Sequence, residues 1–229
     1  MAKLLKVIII FILVLPGAAF STKQNSANDI VVPCNQEKYF NDDKVRPSLY
    51  TTYAKEIAEV EDYLNSFETF IAQFKQSNKE GNIRYGKLLI SKPGKIRCEY
   101  LKPSPMLLII NDNRLTYYDQ DLDEVSYSSS DINVLKLLAQ NEINFNNLDL
   151  VEIDKEQKFI TLSIKEDNKK SAQRLFLTLK FTYPSIELLQ VTITTEENEV
   201  DMIFDQITYN QAIGKQLFYF HRDIFRNRR

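Results

Sequence analysis

Beyond Ile83 the chain is interrupted every eight to twelve residues by Pro, Gly, Asn, Asp or Lys, and the runs between are short and rich in Leu, Ile, Val, Tyr, Phe and Thr. Runs of that length, punctuated that often, read as consecutive antiparallel strands. Ten strands are expected, over 84–91, 96–101, 106–111, 115–119, 124–128, 149–154, 159–165, 174–183, 188–195 and 201–209, with a further apolar stretch at 217–220. Two helical patterns interrupt this text. From Tyr53, the residues Ile57, Val60, Leu64, Phe67, Ile71 and Phe74 recur at spacings of three and four, which paints one stripe on a helix. The second half of that stretch also alternates with period two, at Phe70, Ala72 and Phe74, and reads equally well as a strand leaving the helix. Midway along the chain, Asp131 can cap a short helix with Ile132, Leu135 and Leu138 on one face. Two helices among so many strands exclude a doubly wound parallel fold, which needs a helix for each crossover. The expected class is mainly β: one strongly curved antiparallel sheet of about eleven strands, an unclosed barrel covered by short helices.

The first residues read as an address. Lys3 and Lys6 precede nine apolar residues at 7–15, and Gly17, Ala19 and Ser21 suit signal peptidase. Nine is about half of the roughly 20 residues a spanning helix needs, so an exported, soluble mature chain is expected in the periplasm. Cys34 stands far from the small-residue stretch, which argues against lipid anchoring at a cleavage-site cysteine. The expected organisation is a signal peptide at 1–21, a polar extension at 22–50 and one domain at 51–229. Removing the signal takes two of the 29 basic residues, and 27 against 31 acidic ones leaves a net charge of about −4, which disfavours nucleic acid as a partner. Cys34 and Cys98 leave two readings open, a disulfide in an oxidising compartment or a buried Cys98 beside an exposed Cys34.

A barrel of more than about eight strands is too wide for its own side chains to fill, which leaves room inside. With no Trp, bulk inside such a barrel falls to the 14 Phe and 12 Tyr, several at alternating positions such as those of Ile96, Cys98, Tyr100 and of Phe159, Thr161, Ser163. Alternation alone fits a solid sandwich core as well as a cavity lining. Catalytic chemistry finds little footing: the one histidine, His221, lies near a basic C-terminus, and no Ser sits in a nucleophile elbow. After the signal, Gly occurs only at 81, 86, 94 and 214, too sparsely for a phosphate loop, and no Cys or His spacing suits a metal. Neither a cofactor nor enzyme activity is expected.

The segment opening at Gly86 and its strand, followed by Lys92-Pro93, then Ile96, Cys98, Tyr100 and Pro103, then Leu107 to Asn111 and Leu115, Tyr117, Tyr118 and Asp119, resembles the signature region of the LolA family. The helix running into Leu64, Phe67 and Phe70, and the helical stretch at 134–139, lie where that family has its first and mid-sheet helices. The resemblance implies an unclosed barrel with a helical lid over a cavity for lipoprotein acyl chains. Cargo would arrive from an inner-membrane LolCDE-type transporter and leave to an outer-membrane acceptor of LolB type, carried by a monomer. The lining expected from strand alternation is Phe70, Phe74, Ile96, Cys98, Tyr100, Leu108, Ile110 and Tyr117, with Leu135 and Leu138 on the lid. The family's lid latch is an arginine before proline that bonds lid carbonyls; Lys92, before Pro93, holds that position here and offers three donors without the planar fork. Other departures are Cys98 at a position usually Trp, Asn111-Asp112-Asn113 in place of a turn glycine, and His221-Arg222-Asp223 without the family's C-terminal proline. The alternative is an envelope regulatory or sensor protein of the same fold that binds a partner without transport.

Overall fold

The computed structural model describes residues 46–129, 133–167 and 174–221. Helices α1 (Arg46–Thr52) and α2 (Ala54–Asn65) lead into strands β1 (Thr69–Asn78), β2 (Ile83–Ser91), β3 (Lys95–Tyr100), β4 (Met106–Asn111), β5 (Arg114–Asp119) and β6 (Glu124–Ser129). Helix α3 (Asn133–Leu138) and a 3-10 turn (Phe145–Asn147) precede β7 (Asp149–Lys155), β8 (Phe159–Asp167), β9 (Arg174–Thr182), β10 (Leu188–Thr195) and β11 (Glu199–Tyr209). All eleven strands form one antiparallel sheet in the order β6-β5-β4-β3-β2-β1-β11-β10-β9-β8-β7. Two meanders of sequential neighbours are therefore joined where the first strand pairs with the last. The free edges are β6 and β7, which do not pair with each other, so the sheet stays unclosed.

Strand boundaries fall within two residues of those read from the sequence, and Met106–Asn111 and Leu188–Thr195 coincide with them. The ambiguous stretch resolves by position: α2 stops at Asn65, and Phe70 to Phe74 lie in β1, where β2 and β11 bond it from both sides. The apolar stretch at 217–220 is not a strand. Lys215–Phe218 is a 3-10 turn, because β11 already has β1 and β10 as partners and offers no free edge to the segment that follows it. That segment crosses the outer face instead, burying Phe218 and setting Phe220 against Tyr118 at 4.9 Å between centroids. Asp131 and Ile132 lie outside the described residues. Helix α1 straddles the boundary expected at residue 50.

Inward side chains run in rows across the first meander. One row is Phe70, Ile90, Ile96, Ile110 and Leu115; the next is Ala72, Leu88, Cys98, Leu108 and Tyr117. These rows share one buried cluster with Leu162, Leu179 and Val191 of the second meander and with Ile57, Val60 and Leu64 of α2. A shared cluster requires the sheet to curve around it. On β8 the alternation runs opposite to the aromatic position noted above: Ile160, Leu162 and Ile164 face inward, whereas Phe159 stacks under Lys180. A second, small cluster of Leu107, Ile109 and Tyr118 lies on the outer face under Phe220. The turn that lacks the family glycine is accommodated by Asp112 at φ 54°, a left-handed conformation Asp tolerates better than most residues.

Gly86 marks the tightest approach. It pairs with Phe74 on one side and Tyr100 on the other, and these rings meet edge to face at 5.2 Å between centroids. A Cβ there would strike the Phe74 ring and come within 2.6 Å of the Glu99 carbonyl oxygen. Because a strand backbone cannot yield as a side chain can, Gly86→Ala is expected to destabilise the fold by about 1–3 kcal/mol, as overpacking does. A urea midpoint equal to that of the natural chain would refute this packing.

Candidate functional site

The curved sheet and α2 enclose an interior onto which the expected lining residues project. Phe70, Phe74, Ile96, Cys98, Tyr100, Leu108, Ile110 and Tyr117 are all buried, and all belong to the one cluster. Leu138 of α3 joins them; Leu135 lies in the same helix, and its side chain is outside the description. The wall formed by the second meander was absent from that set. Ile160, Ile164, Leu177, Phe181, Met202 and Phe204 supply the opposite wall, and the same period-two alternation in β8, β9 and β11 was the signal for them.

The interior cluster is apolar and its thiol and phenols are uncharged, with one carboxylate, Asp119, buried at the end of β5 on the face that Tyr117 shares. Burial pushes the Cys98 thiol up to about 12, so it carries no thiolate near neutral pH. Cys98 is a free cysteine, and Cys34 lies outside the described residues. The Tyr100 hydroxyl donates to Gln76 Oε1 at 2.5 Å, and that of Tyr117 donates to Met106 Sδ at 3.1 Å. Burial is the leading cause raising both tyrosines above their ordinary range, so each keeps its proton. Such a surface suits hydrocarbon and rejects ions, since an unpaired charge moved there loses its hydration without compensation.

Helix α2 covers the interior and is tied down by polar contacts. Lys92, in the β2–β3 turn, donates from Nζ to the Leu64 carbonyl at 2.5 Å, and Nζ lies 4.5 Å from the centroid of the Phe67 ring. Burial pushes its ammonium down to about 8. Asn65 exchanges two bonds with the backbone of Ile143, at 2.8 and 2.9 Å, and Glu61 Oε1 accepts from the Phe145 N–H at 2.6 Å. Glu56 pairs with Lys155 at 2.5 Å, and that hydrogen bond holds the carboxyl below its usual value. Helix α3 is anchored over the same rim: the Gly94 N–H donates to the Ala139 carbonyl at 2.8 Å, and Lys136 Nζ to Asn113 Oδ1 at 3.1 Å. Lys92, the residue before Pro93, thus bonds a carbonyl of α2 and not of α3, the helix that carries Leu135 and Leu138.

Among proteins of known sequence, the chain is 30% identical over 164 residues to an uncharacterized protein of Rickettsia prowazekii, spanning 72% of this chain and 76% of that one. It is 25% identical over 166 residues to the outer-membrane lipoprotein carrier protein of Coxiella burnetii, spanning 69% and 78% respectively. A solved LolA superfamily protein from Nitrosomonas europaea aligns over 73% of this chain and 97% of its own, with a TM-score of 0.43 and 7% identity. The family model described as outer membrane lipoprotein carrier protein LolA matches residues 65–221, from the end of α2 through the 3-10 turn that follows β11. On that match, which takes in the whole sheet and most of the chain, the protein belongs to the LolA family.

Proposed function

We propose that the chain is a periplasmic carrier that takes the acyl chains of lipoproteins into its interior and ferries them from an inner-membrane LolCDE-type transporter to an outer-membrane acceptor of LolB type. The observation that carries this reading is the continuous apolar interior beneath a helix held by a small number of polar ties. At about 0.8 kcal/mol per methylene, a 16-carbon chain entering water loses on the order of 12 kcal/mol, so a lipoprotein needs comparable apolar burial while it travels. The inward side chains form one continuous cluster, and hydrocarbon enters as α2 and α3 lift from it and the lining residues exchange mutual contacts for contacts with the guest. Release then requires that the lid be held only moderately. Carrier proteins named among the relatives support the same reading. Mass spectrometry of the protein isolated from periplasm without detergent tests it: a one-to-one soluble complex with acylated lipoprotein is expected, and a lipid-free protein held tightly by some other partner would sink the carrier reading.

Lys92 is the latch in this scheme. Lys92→Leu removes a charge-assisted bond to the Leu64 carbonyl, which at about 1.5–3 kcal/mol corresponds to release of a fluorescent lipopeptide to vesicles roughly ten times faster or more. Equal release rates in the two proteins would discard the latch. The sign of the pH dependence follows from burial: Lys92 titrates at about 8 when folded and near 10.5 when free, so the folded chain binds fewer protons between those values. Its stability is therefore expected to rise from pH 8 toward pH 10, measured by urea unfolding, whereas Lys92→Arg, charged throughout, lacks that rise.

A further inference from the structure

The sheet's register shifts once between β7 and β8, at Leu150/Glu152, and more extensively around β10 and β11. Cross-strand pairing between β10 and β11 ends at Gln190 and Ile203. Leu189 is skipped in the β9–β10 register, between Leu188 paired with Phe181 and Gln190 paired with Lys180. Opposite it, the β1–β11 register passes from Ile71 paired with Thr208 to Gln73 paired with Asp205, which leaves Gln206 and Ile207 facing Ala72 alone. Gln206 has φ 51°, a left-handed conformation that bends β11 away from its neighbour. Bulges on both strands thus meet at one point and part the wall. A pocket of about 120 Å³ occupies the parting, with Leu189, Gln206 and Ile207 in its lining.

Two further features give this seam a chemical preference. Its lining holds two carboxylates, Glu187 and Asp205, and no basic side chain. One oxygen of each is engaged, Glu187 Oε1 by the Tyr209 hydroxyl at 3.1 Å and Asp205 Oδ1 by the Gln206 N–H at 2.8 Å, which leaves the other oxygen of each to accept from a cation. On the inner side, the Leu188 N–H donates to the Tyr63 hydroxyl at 3.0 Å, so a side chain of α2 stands where a neighbouring strand's carbonyl would be. Leu188 and Phe204 line the pocket and also belong to the interior cluster, so the seam and the interior share a wall.

We infer that the seam between β10 and β11 binds an extended peptide carrying basic side chains: the segment of a cargo polypeptide adjoining its acylated end. Strand addition at the parted backbone supplies affinity and the two carboxylates supply selection, while the shared wall puts the peptide beside an interior that would hold the acyl chains. The identity of the occupant rests on the carrier reading; the existence of the site does not.

The test uses the full mature chain and the peptide acetyl-Thr-Lys-Thr-Lys-Thr-Lys-amide, with β-branched threonine to favour an extended backbone. Titration should shift the backbone amide resonances of Leu189 and Ile207. Binding should weaken about tenfold or more in Glu187→Gln/Asp205→Asn, and should be lost for the glutamate counterpart and for a peptide N-methylated along its backbone. Equal binding of lysine and glutamate peptides, or no shift at these amides, overturns the seam. A palmitoylated version separates the two proposals. Palmitoylated and plain peptides binding equally tightly at the seam would leave the site standing and defeat acyl carriage. Tighter palmitoyl binding that moves Leu108 and Ile110 but neither Leu189 nor Ile207 would do the reverse.

Discussion

The pairing of β1 with β11 is the constraint on which the rest of the structure depends. Each meander is built from strands adjacent in sequence, so local contacts suffice to assemble it. The joint between them is not local: the Gln73–Gln206 side-chain bond spans 133 positions. Closing such a loop costs chain entropy before any contact repays it, so the joint forms only when both meanders present matched edges. Aromatic packing rewards that closure. Phe74 pairs with Phe204, Phe70 meets Phe204 edge to face at 5.8 Å, and the Phe67 and Tyr209 rings lie 5.6 Å apart. Once this joint is made, the unpaired edges must be β6 and β7, and the segment linking them must carry α3 from one edge to the other.

The same joint places α2. Because β1 follows α2 after three residues, placing β1 at the centre of the sheet places α2 over the interior. Apolar burial of Ile57, Val60 and Leu64 holds the helix there without fixing its position along the sheet. The directional ties from Lys92, Asn65, Glu61, Glu56 and Tyr63 fix it, and they join it to four parts of the fold: the β2–β3 turn, the segment of Ile143 and Phe145, the end of β7 and the start of β10. Cohesion and position thus rest on different interactions, and a helix bound this way can be re-seated by exchanging polar partners without exposing the sheet's whole inner face.

The outer face follows different rules. Arg97, buried on β3, bonds Glu99 beside it at 2.9 Å and donates to the Leu217 carbonyl at 3.0 Å. That bond, with Phe218 and Phe220, seats the C-terminal segment across β3, β4 and β5. The near-continuous apolar run of β4 has its explanation here: Leu108 and Ile110 face the interior, while Leu107 and Ile109 face the strap. A strand buried on both faces loses its alternation, so the pattern in β4 indicated a strand without indicating its cover.

Much of the fold was legible locally. Turn residues spaced every eight to twelve positions located ten strands, period-two alternation placed Ile96, Cys98 and Tyr100 on one face with Leu108, Ile110 and Tyr117, and a stripe of period three to four located α2. These features are set by residues a few positions apart, which is why sequence by itself determined them. It did not determine that Ile160 rather than Phe159 faces inward on β8, because an aromatic on a strand packs as well under a lysine stem as in a core. Nor did it determine that residues 217–220 form no strand, since that depends on which edges are already taken. Sheet order, the Leu64 carbonyl that meets Lys92, and the parting of β10 from β11 were decided by tertiary structure alone: each is a relation between distant residues whose register is chosen when the sheet closes at β1 and β11, and a local pattern holds no record of that choice.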